Sequence, residues 1–143
     1  MRSTPEPALV PELLVGDVNE SLAFWRDLCG FTVSYSRPDE GFAYVTQGSA
    51  HVMLEQAGLG RNWLTGQLEP PFGRGINFQI TVPDANFLAQ HIEASGVELF
   101  MSLEEKWYKV GDEEVGVRQF LVQDPDGYLI RFQSSQGRRP FQQ

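Results

Sequence analysis

The stretch VRQFLVQDPDGYLIRFQ, residues 117–133, decides how the rest of the chain is read. Phe120 and Val122 alternate with their neighbours before Asp124-Pro125-Asp126-Gly127, and Tyr128, Ile130 and Phe132 alternate after it. That is the pattern of two pleated strands closed by a tight turn. Proline presets the φ angle its turn position needs, the aspartates bond the local backbone, and glycine accepts positive φ. The second strand carries Arg131 between the apolar Ile130 and Phe132.

Working outward, the same vocabulary recurs. Residues 8–15 read as a strand, and Gly16-Asp17-Val18-Asn19 as a turn into a helix that Asp17 or Asn19 caps. Leu22, Phe24, Trp25, Leu28 and Cys29 fall at helical spacing, and Gly30 ends that helix as an αL cap. Strands follow over residues 31–36, 42–46 and 51–56, the last two around Gly48-Ser49. Residues 57–74, AGLGRNWLTGQLEPPFGR, carry no sustained period and read as a crossing loop. A strand over 76–82 leads to a second helix that Pro83-Asp84 opens and Gly96 stops, with Phe87, Leu88, His91 and Ile92 inside it. Residues 97–100 are strand-like, and residues 102–116, SLEEKWYKVGDEEVG, read as a charged insertion before the hairpin. Residues 1–7 are expected to form a loose arm and 135–143 a frayed, basic tail.

Laid side by side, the halves repeat the order β-α-β-β-β. Leu14-Val15-Gly16-Asp17 matches Thr81-Val82-Pro83-Asp84, and Gly30-Phe31 matches Gly96-Val97. Residues 42–55 overlay 119–132, which sets Val45 opposite Val122 and Leu54 opposite Arg131. The expected class is α+β, one domain over 8–134 with a first module at 8–56 and a second at 75–134.

Composition narrows the function. With 143 residues, 41% of them hydrophobic, the chain buries one ordinary core. Its 19 acids against 11 bases give a net charge of −8, which disfavours a nucleic-acid partner because phosphate contacts need a basic surface. No run reaches the roughly 18 apolar residues of a membrane span, and the opening MRSTPEPALV lacks the apolar core of a signal peptide. A cytoplasmic protein without a membrane partner is expected. The single cysteine, Cys29, allows no intrachain disulfide and reads as a small buried residue. There is no phosphate-cradling glycine motif and no Gly-x-Ser-x-Gly elbow, so nucleophilic catalysis has no support.

The paired module order, the run LLVGDVNESLAFWRDLCGF and the closing VQDPDGYLIRF resemble the vicinal oxygen chelate superfamily of glyoxalases, bleomycin-resistance proteins and extradiol dioxygenases. The resemblance implies two modules paired into a cupped sheet around a cavity, commonly as a homodimer. Enzymes of that superfamily hold a divalent metal with His and Glu at about four strand positions. Carried over by distance from the markers, those positions fall on Val10, Leu54, Asn77 and Arg131. Val and Leu offer no lone pair, and a guanidinium is never deprotonated, so these residues do not make a metal site.

The resemblance therefore points to the bleomycin-resistance branch: acidic dimers without catalytic residues, metal or other cofactor, which sequester a cationic antibiotic between aromatic rings. GSAHVMLEQ, followed by the aromatic-bearing loop, fits that branch. Trp63, Trp107, Tyr108 and Phe42 are the candidate stacking residues, and Asn77, Glu55 and Arg131 the candidate polar contacts for a small cationic or aromatic ligand. A buried guanidinium at Arg131 must be paired, by Glu55, by Glu12 or by an anionic group of the ligand, and the last of these argues for a carboxylate-bearing ligand instead of a drug cation. The alternatives are a metal enzyme of the same superfamily with displaced ligands such as Glu12, His51 and Glu55, or an interaction module whose cavity its own side chains fill.

Overall fold

The protein is described from a computed structural model, in which residues 6–141 are placed; the predicted arm lies largely outside that range. Eight strands and two α-helices follow in order: β1 (Glu12–Val15), α1 (Val18–Leu22), β2 (Thr32–Arg37), β3 (Phe42–Gln47), β4 (Ala50–Gln56), β5 (Asn77–Thr81), α2 (Ala85–Ala94), β6 (Met101–Val110), β7 (Glu113–Gln123) and β8 (Leu129–Pro140). Contacts divide the chain into two compact units, Met1–Phe72 and Gly73–Gln143. Each holds a four-stranded mixed sheet, ordered β1-β4-β3-β2 in the first and β5-β8-β7-β6 in the second. The class is α+β, and the order of elements is the same in both units. Among the described residues no helix is long and apolar enough to cross a membrane.

Local chemistry explains the helix starts. Asp17 Oδ1 accepts from the backbone N–H of Asn19 at 2.8 Å and of Glu20 at 3.3 Å, and Asp84 Oδ1 accepts from that of Phe87 at 3.0 Å. Asn19 lies inside α1, so Asp17 is the cap. Beyond Leu22 the first helix widens into a π-helical turn over Ala23–Leu28, which buries Phe24 and Trp25. Trp25 meets Phe31 edge to face at 5.2 Å in the first core, with Val15, Val45 and Leu54 also buried. The second core gathers Ile80, Ile92, Phe120, Val122, Ile130 and Phe132, with the rings of Phe120 and Phe132 5.5 Å apart.

The sheets agree in register as well as order. In the first, β1 runs parallel to β4 with Glu12 beside Met53; in the second, β5 runs parallel to β8 with Gln79 beside Arg131. A side chain from the last strand reaches the start of the helix in each unit: Gln56 Oε1 accepts from Val18 N–H at 3.1 Å, and Ser134 Oγ from Ala85 N–H at 3.1 Å. By this match Gln56 answers Ser134, so Leu54 answers Phe132 and Met53 answers Arg131. The sequence overlay of Leu54 on Arg131 is thus corrected by one position. Its cause is the turn: Val45 pairs with Val52, seven residues on, whereas Val122 pairs with Ile130, eight residues on. The Asp-Pro-Asp-Gly connection holds one residue more than its counterpart.

Four further expectations change. The first strand begins at Glu12, and residues 97–100 form no strand. The charged segment over 102–116 is not an insertion without structure. Met101–Val110 pairs antiparallel with Glu113–Gln123, because Trp107, Tyr108, Val115 and Val117 supply β-forming residues on both arms. The predicted frayed tail extends β8 to Pro140, paired along the whole length of β7.

A polar hollow on the second sheet

Alternation along the second sheet sorts its side chains into two faces. Ile130, Phe132 and Ser134 of β8 share the face that meets α2, so Leu129 and Arg131 point the other way. The neighbours of Arg131 across the ladder are Gln79 on β5 and Leu121 on β7. On this second face lies a hollow of about 290 Å³ lined by Asn77, Met101, Glu104, Tyr108, Gln119, Leu121, Leu129 and Arg131. Every lining residue comes from a strand, so the site stands on paired backbone.

Its polar groups are ordered by one another. Gln119, only 3% exposed, donates both amide hydrogens, one to Glu104 Oε1 at 3.2 Å and one to the Tyr108 hydroxyl at 2.7 Å. Arg131 donates from Nη2 to Gln79 Oε1 at 2.8 Å. Among the described residues no carboxylate lies within ion-pair distance of Arg131. Met101, Leu121 and Leu129 supply the apolar lining between these groups.

Of the residues singled out from sequence, Asn77, Tyr108 and Arg131 meet at this hollow. Trp107 does not. As the neighbour of Tyr108 on β6 it points to the opposite face, where the Arg139 guanidinium lies 3.8 Å from its ring centroid. Its stacking surface is taken by a side chain of its own module. Trp63 is 74% exposed in the loop of the first unit, with Arg61 6.0 Å from its ring. Glu104, Gln119, Met101, Leu121 and Leu129 are lining residues the sequence reading did not select for the site. Alternation on either side of Phe120 and Val122 was the available signal for Gln119 and Leu121, which share the face of Arg131.

Phe42 and Glu55 belong to the first sheet, where they are ladder neighbours. The Arg37 guanidinium covers the Phe42 ring at 4.0 Å, and Tyr35 stacks on Tyr44 at 5.0 Å. The Tyr44 hydroxyl is 2.7 Å from His51 Nδ1, and burial pushes the Tyr44 pKa up, so the phenol remains protonated. Glu12 is hydrogen-bonded to Glu55; burial foremost, and then the adjacent Glu55 charge, raise its pKa.

The metal carried by the superfamily's enzymes does not fit these residues. Leu54 is fully buried on the helix side of its sheet, and its place opposite Arg131 in the repeat belongs to Met53, a thioether. A permanent cation at Arg131 would repel a divalent ion, and His51 already has Tyr44 at its Nδ1. Among the described residues no three His, Cys, Asp or Glu side chains converge.

Comparison with known proteins agrees with the fold and the repeat. Residues 9–132 match the family model described as the Glyoxalase/Bleomycin resistance protein/Dioxygenase superfamily. The bleomycin resistance protein of Geobacillus stearothermophilus is 30% identical over 132 residues, spanning 86% of this chain and 92% of its own. That of Staphylococcus aureus strain MRSA252 matches with the same identity and coverage. A virulence protein of Salmonella typhimurium shares the fold at a TM-score of 0.68 with 16% identity, over 92% of this chain and 98% of its own. The chain therefore belongs to the Glyoxalase/Bleomycin resistance protein/Dioxygenase superfamily.

Proposed function

We propose that this chain is a metal-free small-molecule binding protein of the bleomycin-resistance type, which sequesters its ligand without transforming it and works as a cytoplasmic homodimer. The observation that carries the reading is Arg131. By the resemblance it stands at the strand position where the superfamily's enzymes place a metal-ligating carboxylate, and it lines a polar hollow with Asn77, Gln119 and Tyr108. A site built to hold an organic molecule needs a few placed polar groups among apolar walls, and this hollow has that composition. The similarity to bleomycin resistance proteins supports the binding role, and the net charge of −8 suits a ligand with a cationic group. Tyr108 is proposed as the aromatic contact, with Asn77 and Arg131 as polar ones.

Calorimetric titration with bleomycin, paired with elemental analysis of protein purified without chelator, tests this. Saturable heat and no stoichiometric metal are expected. One divalent ion per chain would overturn the reading in favour of a metal enzyme.

A further inference from the structure

Two buried polar atoms at the hollow of the second sheet have no hydrogen-bond partner: Arg131 Nε and Gln119 Oε1. The amide nitrogen of Gln119 and the Nη2 of Arg131 are engaged within the protein. Both amide hydrogens of Gln119 are committed, to Glu104 and to Tyr108, which fixes the amide orientation and leaves an oxygen that only accepts. Arg131 gives one Nη2 hydrogen to the neutral Gln79, leaving its Nε–H with no acceptor and its charge with no carboxylate among the described residues. Buried donors and acceptors in folded proteins are ordinarily satisfied, so a pair left open in one hollow marks what the occupant supplies.

The two ends ask for different chemistry. A guanidinium edge matches a carboxylate, which it binds through two parallel N–H bonds. An amide oxygen beside the Glu104 carboxylate matches an N–H donor, charged or neutral. Arg131 pairs with Leu121, and Gln119 lies two residues from Leu121 on β7, which separates the two ends by about 7 Å along the strand. Met101, Leu121 and Leu129 offer hydrocarbon contact to a spacer of that length.

We propose that the hollow recognises a small molecule with a carboxylate at one end, on the Arg131 edge, and an amine or amide N–H at the other, on Gln119 Oε1 beside Glu104. This rests on the small-molecule-binding reading above and gives the ligand its chemical class. Opposite charges at Glu104 and Arg131 favour such a zwitterion over a polycation or a polyanion, because either of those would set like charges together at one end.

The test is calorimetric titration with 4-(aminomethyl)benzoate and with its methyl ester, on the wild-type protein and on Arg131→Gln, Arg131→Lys and Glu104→Gln, with bleomycin titrated into each protein. Thermal melts confirm that the variants fold. The acid is expected to bind the wild type, with affinity at least tenfold weaker for the ester and for Arg131→Gln. Arg131→Lys, which keeps the charge and loses the planar edge, is expected between the two, and Glu104→Gln several-fold weaker than wild type. Equal affinity for acid and ester, an unchanged affinity in Arg131→Gln, or silence with the acid while bleomycin binds would each overturn the carboxylate assignment and leave the binding reading standing. Silence with both compounds in folded protein would overturn the binding reading and this assignment together.

Discussion

Leu54 and Arg131, one on the last strand of each module, point to opposite faces of their sheets: Leu54 lies beside Leu13 and is fully buried, while Arg131 lies beside Gln79 at the polar hollow. A histidine at position 54 would therefore sit in hydrocarbon and not at a site open to an ion. Leu54→His is expected to destabilise the protein by about 3 kcal/mol or more, from lost apolar burial and an unpartnered imidazole. Urea unfolding with and without zinc checks this; a metal-dependent rise in stability would contradict the face assignment.

Asp124 closes the turn that sets the register of that strand. Its Oδ1 accepts from the backbone N–H of Asp126 at 3.0 Å and of Tyr128 at 2.9 Å, and its own N–H donates to the Tyr128 carbonyl at 2.9 Å. Asp124 is nearly inaccessible to solvent, so Asp124→Ala strands two donors and is expected to cost about 2–3 kcal/mol. Asp124→Asn keeps an acceptor and should cost less than half as much by the same denaturation measurement.

Gly116 leaves room for Trp107. A methyl group built at Gly116 would stand 2.7 Å from carbons of the indole, closer than any side-chain contact tolerates. Gly116→Ala must tilt the ring and break its stacking on Arg139. The expected result is a shifted Trp107 indole N–H resonance and a loss of about 1–2 kcal/mol of stability, with the Tyr108 side of the sheet unchanged.

Glu12 gives a pH signature with a definite sign. Its folded pKa is raised above the ordinary value of 4.5 by burial and by Glu55. For an acid shifted upward, the folded state binds the proton more tightly, so the favourable contribution is present below the unfolded pKa and is lost as pH rises through the folded one. Glu12→Gln removes that loss. Its melting temperature is expected to match the wild type at pH 4 and to exceed it by about 1–3 °C at pH 7, the small size reflecting how much of Glu12 faces solvent.

Tyr44→Phe removes the hydroxyl that meets His51 at 2.7 Å in a buried setting. A cost of about 1 kcal/mol in urea unfolding is expected.

Much of the fold was legible because the decisive interactions are local. Asp17, Asp84 and the Asp-Pro-Asp-Gly turn act within four residues of chain, and the alternation of Phe120, Val122, Ile130 and Phe132 shows which residues share a face. The repeat was legible for the same reason, since helix caps and strand spacing recur in both halves. Less legible was the arm formed by β6 and the start of β7: Glu104, Glu105, Asp112, Glu113 and Glu114 give it the composition of a solvated loop, while pairing across strands makes it a sheet.

By itself, the sequence determined the order of elements, their caps and turns, the superfamily, and the mismatch between Arg131 and a metal. Only the tertiary structure decided which residues meet. One extra residue in the second turn changes which residue answers Arg131, since side chains alternate with a period of two and a slip of one moves each to the other face. The same pairing across strands joins Gln119 to Glu104 and Tyr108 and separates Trp107 from them, because contacts between residues distant in the chain are fixed by register and not by local preference.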